Sequence, residues 1–276
     1  MKYKAIALDL DGTLTDSNKR LPAQNIEAVS KAIDMGVKVI LASGRPLFGI
    51  TPISKELKLD SKGGYILAYN GGQIVDCATN KTIVSHELPK QCIADICELA
   101  RKQQVYALTY SDGRIVAESD KDEYVIKEAF CNSTSIIKTD SLKDYVDYPV
   151  SKFLVVGSHE KLVPVQEALL KKYSGIIDAF YSEDYFLEVV PYGVAKDNSL
   201  KELLSKLDIK ESELIACGDG MNDIPMLKIA GLAAVMENAY PKVKEYADYI
   251  APSNNEAGVA DVIQRYIIDM EIKSNG

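Results

Sequence analysis

The sequence predicts an α/β protein, built on a doubly wound and mostly parallel sheet that is interrupted by an inserted α+β module. Short apolar runs of strand length alternate with helical periodicity near both ends of the chain, which is typical of parallel sheets. Between these stretches the pattern changes to hairpins and antiparallel strands. Several predicted strands also end in charged or small polar residues, at the sheet edge where open α/β proteins bind ligands.

The composition is that of a globular protein. The chain has 276 residues, 47% of them hydrophobic and 26% charged, which suits one large or two ordinary domains. A net charge of −8 and the lack of a basic block argue against nucleic acid as a partner. The apolar runs are strand-sized and no signal-peptide cleavage motif follows the N-terminus, so we expect a cytoplasmic protein without membrane contact or an obligate protein partner. Five cysteines without CxxC spacing indicate neither disulfides nor zinc.

Residues 1–82 carry a repeated strand–helix pattern. The predicted elements are strands at 5–8, 37–41 and 65–68, with helices at 22–35 and from 46 to 57. Asn70-Gly71-Gly72 then predicts a hairpin turn before another strand at 73–75. Successive strands joined by helices indicate right-handed crossovers and a mostly parallel sheet.

The middle of the chain has a different pattern, and the first pattern returns afterwards. The insertion is predicted to contain helices at 89–103 and 121–130 and after residue 159, a hairpin at 112–113, and strands at 153–157, 177–182 and 186–190. Beyond it we predict helices at 200–207, through 229, after 241 and at 256–269, with strands at 214–217 and 232–236. We therefore predict a core of residues 1–82 and 188–276, and an inserted domain of residues 83–187 that is large enough for its own core.

Two acids stand directly after the first predicted strand. Side chains two apart on an extended backbone point to the same side, so Asp9 and Asp11 can converge on one cation or one phosphoryl group. Gly12 then allows the chain to turn sharply away from the strand. The alternative is that the acids only cap a turn, which Asp-Gly sequences often do.

Polar residues also follow other predicted strands of the core. They are Ser43 and Gly44 after the second strand, Asp219, Asn222 and Asp223 after the strand at 214–217, and Lys196 where the insertion returns. Acids gathered around one lysine are costly to hold together unless a divalent cation and an anion complete the group. Oxygen ligands favour Mg²⁺, and a phosphate suits a hydroxyl, a backbone amide and a lysine. We therefore predict Mg²⁺ as cofactor and a phosphorylated ligand.

Four motifs resemble a known family. DLDGTLTD, ASGR, the lysine of GVAK and GDGMND are similar, in this order, to the four motifs of the haloacid dehalogenase superfamily of phosphotransferases. The insertion resembles the large α/β cap of the Cof-type sugar phosphatase branch. This resemblance spans essentially the whole chain and implies a Rossmann-like hydrolase core with a cap domain. The sequence departs from the family at Asp197-Asn198, because many relatives have glycine after the lysine.

The resemblance implies roles for the acids. Asp9 is expected to be the nucleophile and Asp11 the general acid and base. Mg²⁺ would be held by Asp9, the backbone carbonyl of Asp11 and Asp219, and would offset the repulsion between a carboxylate and a phosphate dianion. Asp223 would support Lys196 and the waters of the metal.

The resemblance also implies how the phosphate is bound. Ser43, the Gly44 amide, Lys196 and Asn222 would bind the transferred phosphoryl group, with Asn222 also steadying the metal's waters. Two further residues have alternatives that stay open. Arg45 contacts substrate or is a solvated residue at a helix start, and Asn70 contacts substrate or only forms the hairpin turn with Gly71.

The expected activity is that of a Mg²⁺-dependent phosphatase. It would hydrolyse small phosphorylated metabolites, above all sugar phosphates, through an aspartyl-phosphate. One alternative is a phosphotransferase or mutase, in which another hydroxyl replaces water. Another is a phospho-aspartate regulatory protein, against which Asp11 and the large insertion both argue. GDGMND also partly matches the GxGxxG fingerprint, but Asp223 replaces the third glycine, so no nucleotide cofactor is expected.

Overall fold

The structure is a computed structural model that describes residues 2–275. Its strands alternate with helices over most of that length, as the sequence predicts. They are β1 (Ala5–Leu8), β2 (Lys38–Ala42), β3 (Tyr65–Ala68), β4 (Gln73–Asp76), β5 (Lys81–Ser85), β6 (Tyr106–Ser111), β7 (Arg114–Ala117), β8 (Ile136–Lys138), β9 (Phe153–Val156), β10 (Ile177–Glu183), β11 (Phe186–Pro191), β12 (Leu214–Gly218), β13 (Leu232–Met236) and β14 (Tyr249–Ala251).

The helices connect these strands and end the chain. They are α1 (Ala23–Asp34), α2 (Leu47–Glu56), α3 (Leu59–Lys62), α4 (Lys90–Lys102), α5 (Glu123–Cys131), α6 (Leu142–Tyr145), α7 (His159–Lys172), α8 (Lys196–Lys206), α9 (Ile224–Ile229), α10 (Pro241–Lys244), α11 (Gly258–Ile263) and α12 (Asp269–Asn275). The predicted last helix at 256–269 is divided, because a π-type turn at Gln264–Ile268 separates α11 from α12. Three further strands, β5, β8 and β14, are not predicted from the sequence. β8 and β14 have only three residues each, too few to show a period, and β5 has only one buried residue.

One compact unit contains the strands of the predicted core. It comprises the residues up to Gly44, Ile50–Val84 and the residues from Ala195 onwards, and we call it unit 1. Among the described residues its sheet has the strand order β14-β13-β12-β1-β2-β3-β4-β5, parallel from β14 to β3 and antiparallel between β3 and β4. This confirms the predicted fold class.

The register of the central strands fixes which residues meet at the sheet edge. Leu8 of β1 lies opposite Leu41 of β2 on one side and Cys217 of β12 on the other. The residues that directly follow β1, β2 and β12 are therefore brought to the same edge of the sheet, because parallel strands end together. All four residues of β1 are buried, as expected for apolar residues in a central parallel strand.

The second compact unit contains the inserted α+β module. It comprises Arg45–Gly49 and Ser85–Val194, and we call it unit 2. In the described part of the chain its sheet has the strand order β10-β11-β9-β6-β7-β8, with α4 and α7 packed together through an apolar core. The domain boundary proposed from the sequence at 187/188 would cut β11, which pairs with both β9 and β10.

A buried charged cluster lies within unit 2. The ammonium of Lys152 is 2.9 Å from a carboxylate oxygen of Glu188, and these side chains are only 4% and 6% exposed. Nearby, Glu128 accepts hydrogen bonds from Tyr110 and Asn132, both of 2.8 Å. Burial raises the pKa of the Glu128 carboxyl, and the Lys152 ammonium opposes that rise. One cation therefore compensates buried acids from two different elements.

Replacing Lys152 by methionine is expected to destabilise the protein by about 3–5 kcal/mol, because a buried carboxylate loses its cation. The measurement is urea unfolding of wild type, Lys152→Met and Lys152→Met/Glu188→Leu. The double variant should recover part of the stability, since it removes the uncompensated charge of Glu188, while Glu128 stays buried and its raised pKa favours the neutral form. Equal stability of the single and double variants would contradict the proposed pairing.

Across residues 2–275, the helices are either too short or too polar to span a bilayer.

Candidate active site

The candidate active site lies at the carboxyl edge of the unit 1 sheet. Asp9 follows β1, Ser43 follows β2 and Asp219 follows β12, while Lys196 is the first residue of α8. The backbone N–H of Asp9 donates to the carbonyl of Cys217 at 3.0 Å, which continues the β1–β12 ladder to the first acid. Lys196 is 1% exposed and Asp9 is 7% exposed, so both charges are buried.

Lys196 joins two acids that are far apart in the sequence. Its ammonium donates to Asp9 Oδ1 and to Asp223 Oδ1, each at 2.6 Å. Burial disfavours the charged lysine, but the carboxylates of Asp223 and then Asp9 outweigh burial and raise its pKa. Lys196 is therefore held as a cation between them.

The Asp223 carboxylate accepts hydrogen bonds from several groups of the site. Its Oδ2 accepts the backbone N–H groups of Asp219 and Gly220 at 3.0 and 2.8 Å, while its Oδ1 accepts Lys196. It is fully buried. Through these contacts Asp223 connects the loop after β12 to Lys196.

Asp9, Asp219 and Asp223 form a group of carboxylates suited to a cation. Each offers an oxygen that lies within 4.8 Å of those of the other two. Burial raises the pKa of the Asp9 carboxyl to about 8, and the Asp223 charge acts in the same direction. Burial likewise raises the pKa of Asp219 to about 6. Three carboxylates and one ammonium carry a net charge of −2 when ionised, so a divalent cation fits this all-oxygen donor set.

Gly12 and Thr13 pack directly on the Asp219 carboxylate. Gly12 has a φ of +84°, and a Cβ at this position would collide with the carboxylate of Asp219. The hydroxyl of Thr13 donates to Asp219 Oδ1 at 2.7 Å. The close approach of loop and carboxylate thus requires glycine, which the sharp turn after Asp11 also favours.

The Asp11 side chain has a different neighbour. Its Oδ1 lies 2.5 Å from the ammonium of Lys19, and its side chain is 33% exposed. The Asp11 carboxylate is not part of the group formed by Asp9, Asp219 and Asp223. This is compatible with the expectation that a metal would use the backbone carbonyl of Asp11, which leaves the carboxyl group for proton transfer.

Ser43, Gly44, Asn70 and Asn222 also come together. The backbone N–H of Asn70 donates to the Ser43 carbonyl at 2.9 Å, and a Cβ on Gly44 would lie 3.2 Å from the Asn70 amide. The Asn222 amide donates to Asn70 Oδ1 at 3.4 Å. Asn70 lies in the predicted turn with φ of +56° and is 4% exposed, so it both forms the turn and faces the Ser43-Gly44 loop.

Arg45 differs from the other predicted site residues. It begins the segment Arg45–Gly49 of unit 2, and its guanidinium donates to the Gly49 carbonyl at 3.4 Å. Three residues of the site were not identified from the sequence: Thr13, which donates to Asp219, Lys19, which contacts Asp11, and Asn238, which donates to the Gly12 carbonyl. Thr13 lies within the motif DLDGTLTD, which could have indicated it, whereas no local pattern distinguishes Lys19 or Asn238.

A comparison with known proteins decides the family. Residues 6–263 match the family described as haloacid dehalogenase-like hydrolase. The chain belongs to this family. The resemblance seen in the four motifs is thereby confirmed, and so is the prediction of an enzyme of the phosphatase class.

Individual relatives of this hydrolase family align with nearly the whole chain. A 5-amino-6-(5-phospho-D-ribitylamino)uracil phosphatase of Escherichia coli is 29% identical over 279 residues, covering 97% of each chain. A crystal structure of a haloacid dehalogenase-like hydrolase from Bacteroides thetaiotaomicron has a TM-score of 0.91 and 43% identity, covering 96% of this chain and 99% of that one. A subclass IIB sugar phosphatase, at 23% identity and a TM-score of 0.80 over 95% and 98% of the chains, shows the shared fold.

Proposed function

We propose that the protein is a Mg²⁺-dependent phosphatase that hydrolyses small phosphorylated metabolites, sugar phosphates in particular, through an aspartyl-phosphate. The observation that carries this proposal is the buried group of Asp9, Lys196 and Asp223 beside Asp219. Such a concentration of buried charge is costly unless ligands complete it. We also propose the cytoplasm as its location and soluble esters as its substrates.

Asp9 is proposed as the nucleophile and Lys196 as its partner. A bound Mg²⁺, held by Asp9, the Asp11 carbonyl and Asp219, would supply electrostatic stabilisation of the charge on the phosphoryl oxygens. The Lys196 ammonium fixes Asp9 Oδ1 at 2.6 Å and brings a second positive charge to the phosphate. An Asp9 oxygen attacks phosphorus while the bond to the ester oxygen breaks.

Asp11 is proposed to move the proton in both halves of the reaction. As an acid it protonates the leaving oxygen, and as a base it then takes a proton from the water that cleaves the aspartyl-phosphate. General acid–base catalysis by a positioned side chain increases the rate about 10²- to 10⁴-fold. The Asp11 side chain is more exposed than the Asp9 side chain, at 33% against 10%, which suits a group that exchanges protons with water.

The phosphate is proposed to be bound by the loop after β2. Ser43 supplies a hydroxyl and Gly44 a backbone amide, both next to Asn70, whose side chain contacts the Asn222 amide. Arg45 and Asn70 remain proposed substrate contacts. A hydroxyl and several amides suit phosphoryl oxygens, because each can donate a hydrogen bond to them.

The substrate class is proposed from the relatives as well as from the site. Two of them, from Bacillus subtilis and Escherichia coli, are named for a substrate with phosphate on a ribityl chain. That compound is a phosphate ester of a polyhydroxylated carbon chain, as sugar phosphates are. We therefore propose an alkyl phosphate with several hydroxyl groups as substrate.

Phosphate release is expected from purified protein with Mg²⁺ and not with EDTA. The panel would contain hexose and pentose phosphates, a ribityl phosphate, phosphorylated cofactors and an aryl phosphate. A second readout is thermal melting, in which Mg²⁺ should raise the melting temperature of wild type because it neutralises Asp9 and Asp219. Asp219→Asn is expected to reduce that increase. Undiminished release in EDTA would contradict the proposed cofactor, and no release from any ester would contradict hydrolysis of these classes.

A further inference from the structure

The loop that carries Asp9 and Asp11, residues 9–22 between β1 and α1, is held by asparagine side chains. The Asn238 amide donates to the Gly12 carbonyl at 2.8 Å, and the Asn254 amide donates to the Thr15 carbonyl at 2.8 Å. Asn25 donates to the Leu14 carbonyl at 2.9 Å. We call Asn25, Asn238 and Asn254 the asparagine clamp. Two of its members follow β13 and β14, so strands beyond those of the four motifs also contribute to the acidic loop.

The orientation of the Asn238 amide is fixed by its neighbour. Its Oδ1 accepts the backbone N–H of Asn254 at 2.9 Å, so its Nδ2 is the atom directed to Gly12. Asn254 is 3% exposed and holds Thr15 at the same time. Asn238 is therefore the end of a hydrogen-bonded chain that starts at the buried Asn254, after β14.

Gly12 is the point at which this chain reaches the acids. It lies between Asp11 and Thr13, and it approaches the Asp219 carboxylate so closely that a Cβ would collide with it. Thr13 is pinned further by its hydroxyl bond to Asp219 and by a backbone bond to Leu10. A shift of the Gly12 peptide is therefore resisted at Thr13, and the other neighbour that such a shift can move is Asp11, whose side chain is 33% exposed and contacts Lys19.

We propose that Asn238 is a positioning residue that holds Asp11 in place to protonate the leaving group, through its hydrogen bond to the Gly12 carbonyl. This inference rests on the proposed function, in which Asp11 is the acid. Asn238 does not touch substrate in this scheme. Its contribution is geometric, and small displacements of an acid from the oxygen it protonates reduce rates strongly.

The leaving group provides a readout that a merely structural role would not change. An aryl phosphate such as 4-nitrophenyl phosphate has a good leaving group and needs little protonation. An alkyl phosphate such as a hexose phosphate has a poor leaving group and depends on the acid. Both activities are measured on one preparation, so their ratio does not depend on the folded fraction.

Asn238→Asp is the variant of choice, because its carboxylate still accepts the Asn254 N–H but repels the Gly12 carbonyl. We expect kcat/KM to fall at least ~10-fold more for the alkyl ester than for the aryl ester. This factor is a fraction of the rate acceleration that general acid catalysis provides. Asn238→Ala should change the ratio in the same direction and serves if Asn238→Asp folds poorly. The matched control is Asn255→Ala, since Asn255 holds Ser17 instead of Gly12. In the control the ratio should stay at its wild-type value.

The outcomes separate this inference from the proposed function. A wild-type protein that hydrolyses neither ester with Mg²⁺ would overturn the proposed function and this inference with it. A wild-type protein that hydrolyses both, together with Asn238 variants that lose both activities by the same factor, would overturn the inference alone. A changed ratio in Asn255→Ala would also overturn it, because the effect would then belong to the whole loop.

Discussion

Asp9→Asn is expected to reduce phosphate release by at least about 10⁴-fold, because an amide cannot attack phosphorus as a carboxylate does. The fold should persist, since Lys196 keeps its bond to Asp223. Removing a buried carboxylate with a raised pKa also removes a cost of folding, so the metal-free variant should be at least as stable as wild type. The measurements are initial rates with Mg²⁺, thermal melting, and Mg²⁺ titration by calorimetry, in which binding should largely remain.

Asp34→Asn is the matched control for this variant. Asp34 is also in unit 1, but its side chain is 63% exposed and pairs with Lys62 at the surface. Its loss should leave both turnover and Mg²⁺ binding unchanged, because exposed ion pairs contribute little. Near-wild-type turnover of Asp9→Asn would show that another residue is the nucleophile.

Lys196→Met is expected to lower both activity and stability. The lysine is the cation between two buried carboxylates, and its removal leaves Asp9 and Asp223 facing each other. Breaking such a buried group costs about 3–5 kcal/mol in the free energy of unfolding. Turnover by the folded fraction should fall about 10²- to 10³-fold, the usual cost of losing one stabilising charge or donor. Urea unfolding without metal and initial rates with Mg²⁺ test the two effects separately.

Lys201→Met is the matched control, because it replaces an exposed lysine of the same helix, α8, instead of the buried Lys196. The Lys201 side chain is 42% exposed, and its ammonium lies 3.5 Å from Asp197 Oδ2 in a surface ion pair. Its replacement should change stability by less than about 1 kcal/mol. If Lys196→Met were as stable as this control, the proposed electrostatic role of Lys196 would be wrong.

The sequence predicts the centre of the site well because strand geometry links residues that are distant in the chain. Asp9 and Asp219 follow neighbouring parallel strands, so a correct assignment of β1 and β12 already brings them together. Short apolar runs ending in acids were enough for that assignment. The roles proposed for Asp9, Asp11 and Lys196 remain predictions until the variants are measured.

The asparagine clamp could not be predicted in this way. Asn238 and Gly12 are 226 positions apart, and asparagine after a strand is common in loops. The strand that positions Asn254, β14, has only three residues and shows no period. Contacts of this kind depend on side-chain direction and loop geometry, which hydrophobic patterns do not encode.

The central place of β1 has a consequence for how the protein tolerates change. The strand is hydrogen-bonded on both sides, and its ladder extends to the Asp9 N–H. Backbone groups in such strands open only when the whole cooperative unit unfolds, whereas edge strands and termini open locally. Substitutions in the edge strands of the sheet should therefore change the fraction of molecules that are folded, while the nucleophile of each folded molecule keeps its position.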